Sequence, residues 1–206
     1  MEELILKNLP NWGWAMIAVY LIISELIVLI KENNPMFQAL TKYQDVFTIL
    51  ERIQADTGAD RVVLLKAHNS GKELTPKTKL KSSALFSTAN KQLLDVAKTW
   101  TEQPVDLPYV KMLMDLAVKK LIRLQSENLD DGILKTLYEG NNIKVSYVAE
   151  VMQVTKRKTL FQSLLRRKEP YEYLYISANF QKQVLDLDNI ADRVRSGASE
   201  IRRIIK

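Results

Sequence analysis

Lys66, His68 and Asn69 stand close together in the run RVVLLKAHNSG, and their ammonium, imidazole and amide groups are suited to hold a small polar ligand. The β-branched and leucine residues of RVVLLKA, bounded by Gly58 and by HNSGKELTPK, read as a buried strand opening into a loop. The three side chains would then face the mouth of a pocket. The competing reading is a turn in which Asn69 and Ser70 satisfy nearby backbone groups. His68 is the one histidine in 206 residues and cysteine is absent. Thiolate metal sites, iron-sulfur clusters, disulfide scaffolds, thiol nucleophiles and any scheme needing a histidine pair are therefore excluded. No two of the six glycines, at 13, 58, 71, 132, 140 and 197, lie one residue apart. A dinucleotide fingerprint and a Gly-rich phosphate loop cannot be built from them, and the serine-elbow pattern is missing. Glu127, Asp130 and Asp131 could act as general acid and base, but helix capping explains them at lower cost. The expectation is a protein without catalysis, metal ion or identified cofactor.

Basic residues form a second constellation. Lys156, Arg157, Lys158, Arg166, Arg167 and Lys168 carry six positive charges with no acid within either triplet, equal to the whole net excess of +6. They fall in two strand connections and so do not form one groove. Nucleic-acid binding would want a continuous basic track with exposed aromatics. Phe161, Tyr171, Tyr173 and Tyr175 instead alternate as sheet-packing residues do. Solvated turns are the favoured reading, ahead of anionic headgroups or acidic partners, with nucleic acid last.

Residues 12–30, WGWAMIAVYLIISELIVLI, place 16 apolar residues in 19, the exceptions being Gly13, Ser24 and Glu25. At about 1.5 Å per residue this run covers roughly 28 Å, close to the hydrocarbon thickness of a bilayer. Trp12 and Trp14 suit one headgroup region, and Lys31 with Glu32, Asn33 and Asn34 closes the other end. Glu25 would cost on the order of 3 kcal/mol near the midplane, while ten Leu, Ile and Val residues return roughly 3–6 kcal/mol. Glu25 reads as a tolerated carboxylate off the midplane, or as a group pairing with another helix through Ser24 or Tyr20. MEELILKNLPN lacks a signal-peptide start and no A-x-A cleavage pattern follows, so an uncleaved single-pass anchor is expected. Lys31 and Lys42 after the run, against Lys7 before it, favour a cytoplasmic C-terminal part.

The elements that would position these groups follow from periodicity. Asn33, Asn34 and Pro35 form a helix start. Phe37, Leu40, Tyr43, Phe47, Leu50 and Ile53 then predict an amphipathic helix over 36–56, ended by Thr57, Gly58 and Ala59. Residues 83–100 are mixed and helical toward their end, and TEQPVDLP is a linker. Val110, Leu113, Met114, Ala117, Leu121 and Leu124 predict a helix over 108–126, and Asp130 or Asp131 caps a short one, GILKTLYE, closed by Gly140. IKVSYVAEVMQV, TLFQSLLR and YEYLYISA predict a three-stranded antiparallel meander. Val184, Leu187, Ile190, Val194, Ala198 and Ile201 predict a last helix over 184–205, acidic at its start and basic at its end as the helix dipole favours. The domains are thus 1–34, tail and anchor, and 35–206, an α+β unit with an antiparallel sheet and packed helices.

This element order, with the text FTILERIQADTGADRVVLLKAHN at residues 47–69, resembles the GAF domain family, in which a helix passes through a Gly-Ala-Asp-Arg turn into the first core strand. The resemblance implies an antiparallel sheet with helices on it and, in many members, a ligand pocket or a dimerisation surface. Lacking cysteine, the chain cannot carry a thioether-linked bilin, and the Asn-Lys-Phe-Asp-Glu signature of cyclic-nucleotide binders is not visible. The expected function is a membrane-anchored sensory or interaction module whose partners are the bilayer, a small-molecule ligand, and a second copy or another protein. The alternatives are a membrane-tethered scaffold or adaptor, cellular or viral, without a pocket, and a tethered nucleic-acid binder.

Overall fold

The computed structural model describes residues 13, 16–25, 34–69, 79–90, 99–154, 172–184 and 187–206, and the chain divides into two units, Met1–Gln44 and Asp45–Lys206. In the first unit, residues 16–25 are helical, with Met16, Ile17, Val19, Tyr20, Leu21, Ile22 and Ile23 exposed. Glu25 is exposed too, and the Ser24 hydroxyl donates to Leu21 O within its own helix at 2.8 Å. Trp12, Trp14 and Lys31 lie outside the described residues. Among the described residues no helix is long and apolar enough to cross a membrane.

Helix α1, Pro35–Thr57, starts where proline and Asn34 predict: the Asn34 side chain accepts from Met36 N at 2.9 Å. Its buried face differs from the predicted one. Val46, Ile49, Leu50 and Ile53 are buried, whereas Phe37, Leu40, Tyr43 and Phe47 are 40–52% exposed. Gly58, at φ 66°, takes the left-handed conformation that ends the helix cheaply and turns the chain into the sheet.

The second unit is built on six antiparallel strands: β1 (Arg61–His68), β2 (Lys81–Ala89), β3 (Gln103–Pro104), β4 (Leu121–Gln125), β5 (Val145–Val154) and β6 (Glu172–Phe180), in the order β3-β2-β1-β6-β5-β4. Alternation along β1 divides the core. Val62 and Leu64 face a layer with α1 and the last helix, α4 (Leu187–Ile205), while Val63, Leu65 and Ala67 face α2 (Leu107–Lys119) and α3 (Ile133–Gly140). In α4, Ile190, Val194, Ala198 and Ile201 are buried as predicted, with Asp188 in the first turn and Arg202 and Arg203 in the last. Gly197 lets α4 approach α1 closely, since a Cβ there would overlap Ile53 Cδ1.

Four expectations are corrected. Residues 83–89, expected to be of mixed structure, are strand: β2 pairs with β1 from Lys81 to Ala89, past a bulge at Leu85. The helix predicted over 108–126 ends at Lys119, because Lys120 adopts a left-handed conformation (φ 64°) and donates to Leu116 O; Leu121–Gln125 then pairs with β5. Asp130 and Asp131 do not cap α3. Asp106 does so from a distance: its Oδ1 accepts from Tyr109 N (3.1 Å) at the start of α2, and its Oδ2 from Ile133 N (2.7 Å) at the start of α3. Gly132 makes room for that carboxylate, which a Cβ would overlap. Finally, β5 and β6 are direct antiparallel neighbours, from Val145↔Phe180 to Val154↔Glu172. A third strand therefore does not separate them as a meander would require. TLFQSLLR and the two basic triplets lie outside the described residues.

Candidate functional site on the two faces of the central strands

The residues singled out by sequence fall near the end of β1. Lys66 and His68 point to the α1/α4 side of the sheet, following Val62 and Leu64. Lys66 is ion-paired with Glu172 at 3.6 Å. His68 is 7% exposed, with Nε2 3.1 Å from Ser83 Oγ and 3.6 Å from Glu102 Oε1. Glu102 in turn pairs with Lys81, and its N–H donates to Ser83 Oγ at 3.0 Å. Burial holds His68 below its ordinary pKa, helped by Lys66 and opposed by Glu102 and Glu172. Hydrogen bonding from Lys81 lowers the Glu102 pKa. Asn69, just past the strand, is buried.

Serine, histidine and carboxylate meet here, but not as a nucleophile relay. Such a relay needs the hydroxyl on one ring nitrogen and the carboxylate on the other. Ser83 and Glu102 both face Nε2. The cluster is a network of compensated charges with a titratable centre. Among the described residues no group of three His, Asp or Glu side chains is placed to hold a metal ion.

The other face of the same strands carries a polar centre that sequence reasoning did not single out. Ser82 on β2, Tyr175 on β6 and Tyr109 on α2 bring three hydroxyls together: Tyr109 to Ser82 at 2.9 Å, Ser82 to Tyr175 at 2.9 Å, and Tyr109 to Tyr175 at 2.6 Å. Three protons serve three bonds, so each group can donate once and accept once. All three residues are at most 1% exposed, and Trp100 and Leu65 belong to the same core layer. Burial pushes both phenols above their ordinary pKa, offset at Tyr109 by its bonds to Ser82 and Tyr175. Nearby, Tyr138 is hydrogen-bonded to Ser146, and Tyr173 donates to Glu150 Oε2 at 2.8 Å while Lys120 pairs with Glu150 at 2.9 Å.

The signal for this centre was present in part. Tyr173 and Tyr175 alternate in the sequence and so share a face. What placed Ser82 and Tyr109 against them was the pairing of β2 with β1 and the position of α2, neither readable from local text. The Asp106 double cap fixes α2 and α3 over this face. Chemically, the centre offers hydroxyls that can donate or accept in an apolar setting, suited to orienting a small polar group.

The chain matches no protein-family model and no curated protein. Its structure is similar to solved ones. A far-red cyanobacteriochrome photoreceptor matches at 12% identity and TM-score 0.60, over 91% of this chain and 97% of that one. The cyanobacteriochrome receptor PixJ matches at 9% identity and TM-score 0.50, over 82% and 97%. The GAF domain of a two-component sensor histidine kinase from Bacillus halodurans matches at 13% identity and TM-score 0.49, over 79% and 92%. The antiparallel sheet with its packed helices is thus a GAF-like α+β fold.

Proposed function

We propose that this chain is a GAF-like sensory or interaction module without catalysis of its own, held at a membrane by its apolar amino-terminal run, with residues 35–206 on the cytoplasmic side. The observation that carries the sensory reading is the whole-domain likeness to a photoreceptor, which covers 97% of that chain. A small-molecule ligand would enter between the sheet and α2, displace bonds of the Ser82, Tyr109 and Tyr175 centre and press on Leu65. Leu64, the next residue on β1, packs in the layer that holds Ile49, Leu50 and Ile53 of α1, so β1 would pass the disturbance to that helix. The ligand would not be a thioether-linked bilin, because the chain has no cysteine. Lys66 and His68, which lie on the face opposite that centre, are with Asn69 a separate proposed contact set at the end of β1 and would not touch the same ligand. A second copy or another protein is proposed to receive the signal.

A second reading is favoured by one observation: the three hydroxyls satisfy one another in a buried ring. A domain packed in this way would serve as a membrane-tethered scaffold without a pocket. A thermal-shift screen of the full chain in detergent against metabolites separates the two readings. A compound that raises the midpoint of the wild type, and does so less in Tyr109→Phe, supports the sensor; no stabilising compound favours the scaffold. Membrane tethering has its own test. The full chain should pellet with membranes after lysis and be released by detergent, and recovery in the detergent-free supernatant would remove the tether from the proposal.

A further inference from the structure

The two edges of the sheet are guarded differently. β3 offers two residues, and one of them, Pro104, has no N–H to give. β4 offers five, Leu121–Gln125, in unbroken register with β5 from Leu121↔Ala149 to Gln125↔Val145, without proline or bulge. Glu150 N–H donates to Lys120 O at 2.9 Å, and Ser126 N–H to Lys144 O at 3.0 Å. These two bonds fix the alternation between them: Ile122 and Leu124 bond inward to β5, while Leu121 and Arg123 turn both backbone groups outward and Gln125 its N–H. The outward groups meet no partner among the described residues. Arg123 is the one charged side chain of β4. It is exposed, stands opposite Tyr147 on the α1/α4 face, and makes no ion pair among the described residues. Ile122 and Leu124 lie on the other face, in the layer under α2 and α3.

A row of unpaired main-chain donors and acceptors is a template for one more strand. We propose that β4 is the docking edge for an extended segment of a partner protein, with an Asp or Glu opposite Arg123 and an apolar residue on either side of that acid. The acid would pair with the free guanidinium on one face of the added strand. Its apolar neighbours would point to the other face and extend the layer of Ile122 and Leu124. A second copy fits this edge worse. Antiparallel pairing of β4 with its own copy about a twofold axis at Arg123 sets two guanidinium groups opposite each other, and like charges so placed repel. The proposal rests on the interaction reading above and names the chemistry of the protein partner. It needs neither the ligand nor the membrane tether, so its failure would leave the thermal-shift and pelleting results as they stand.

The probe is a capped synthetic peptide, Thr-Thr-Val-Glu-Val-Thr-Thr, added at millimolar concentration to the full chain in detergent, with amide hydrogen exchange followed by NMR. Exchange at the N–H groups of Leu121, Arg123 and Gln125 should slow by about tenfold at ten times the dissociation constant, while Ile122 and Leu124, already bonded to β5, keep their rates. Replacing the central Glu of the peptide by Lys should weaken binding by up to about fivefold, and Arg123→Glu should reverse that preference. Unchanged exchange at the three outward amides overturns the proposal, as does a charge preference that Arg123→Glu leaves as it was. Protection that grows with protein concentration in the absence of peptide assigns the edge to a second copy and overturns it too. If the variant does not fold, the exchange pattern and the Glu-to-Lys comparison on the wild type decide.

Discussion

Asp106→Ala should destabilise the domain far more than its place in a proline-marked linker suggests. The carboxylate accepts from Tyr109 N at 3.1 Å and from Ile133 N at 2.7 Å, so the substitution strips one acceptor from the first turn of α2 and another from that of α3. Losing one side-chain cap costs about 1 kcal/mol, within a range of about 0.5–2. Two caps give about 2–3 kcal/mol, a fall in midpoint of about 4–12 °C for a domain of this size. Asp131→Ala is the control. Asp131 pairs with Lys135 at 2.7 Å but is 94% exposed, so water screens the pair and its loss should leave the midpoint nearly unchanged. Asp106→Asn, with one acceptor oxygen, should fall between. Urea and thermal unfolding of the full chain in detergent, followed by circular dichroism, measure all three. A loss below about 0.5 kcal/mol for Asp106→Ala, or an equal loss for Asp131→Ala, refutes the shared-cap account.

Tyr109→Phe and Tyr175→Phe each break two of the three hydroxyl bonds, and the double variant breaks all three. Their costs should fall short of additivity by about 1 kcal/mol, one bond's worth, in a double-mutant cycle. Additive costs would mean that the ring does not form. Gly197→Ala should cost about 1–3 kcal/mol, because its methyl meets Ile53 Cδ1; an unchanged midpoint would show that the helices can part without loss. His68 has a folded-state pKa below its ordinary 6.5, so the unfolded chain binds the proton more readily. Its contribution is therefore lost as pH falls below about 6.5 toward the folded value, and His68→Gln should flatten the stability profile there. An identical slope in the variant would assign the effect to other groups.

Elements governed by local rules were legible in the sequence. Asn34 and Pro35 set the start of α1, RVVLLKA marked β1, and the spacing of Ile190, Val194, Ala198 and Ile201 gave α4 its buried face. The buried face of α1 was misread because Phe37, Leu40, Tyr43 and Phe47 have the right period and are exposed. Apolar spacing continued through Leu121 and Leu124, yet Lys120 turned the chain and strand pairing claimed those residues. The serine-rich text of β2 carries weak strand preference; its structure comes from pairing with β1. The same non-local dependence hid the hydroxyl ring. Lys66 and His68 were located correctly at the end of β1, but alternation sets them on the face opposite the ring.

The pairing of Val154 with Glu172 has a consequence for how this chain could vary. The seventeen residues between them leave one strand and re-enter its immediate neighbour, so their ends are held together by the sheet whatever their length. Doubling such a connection costs only about 0.6 kcal/mol in closure entropy. The position therefore suits trimming to a two-residue Asn-Gly turn, or grafting of a foreign module, with the strand order left as it is.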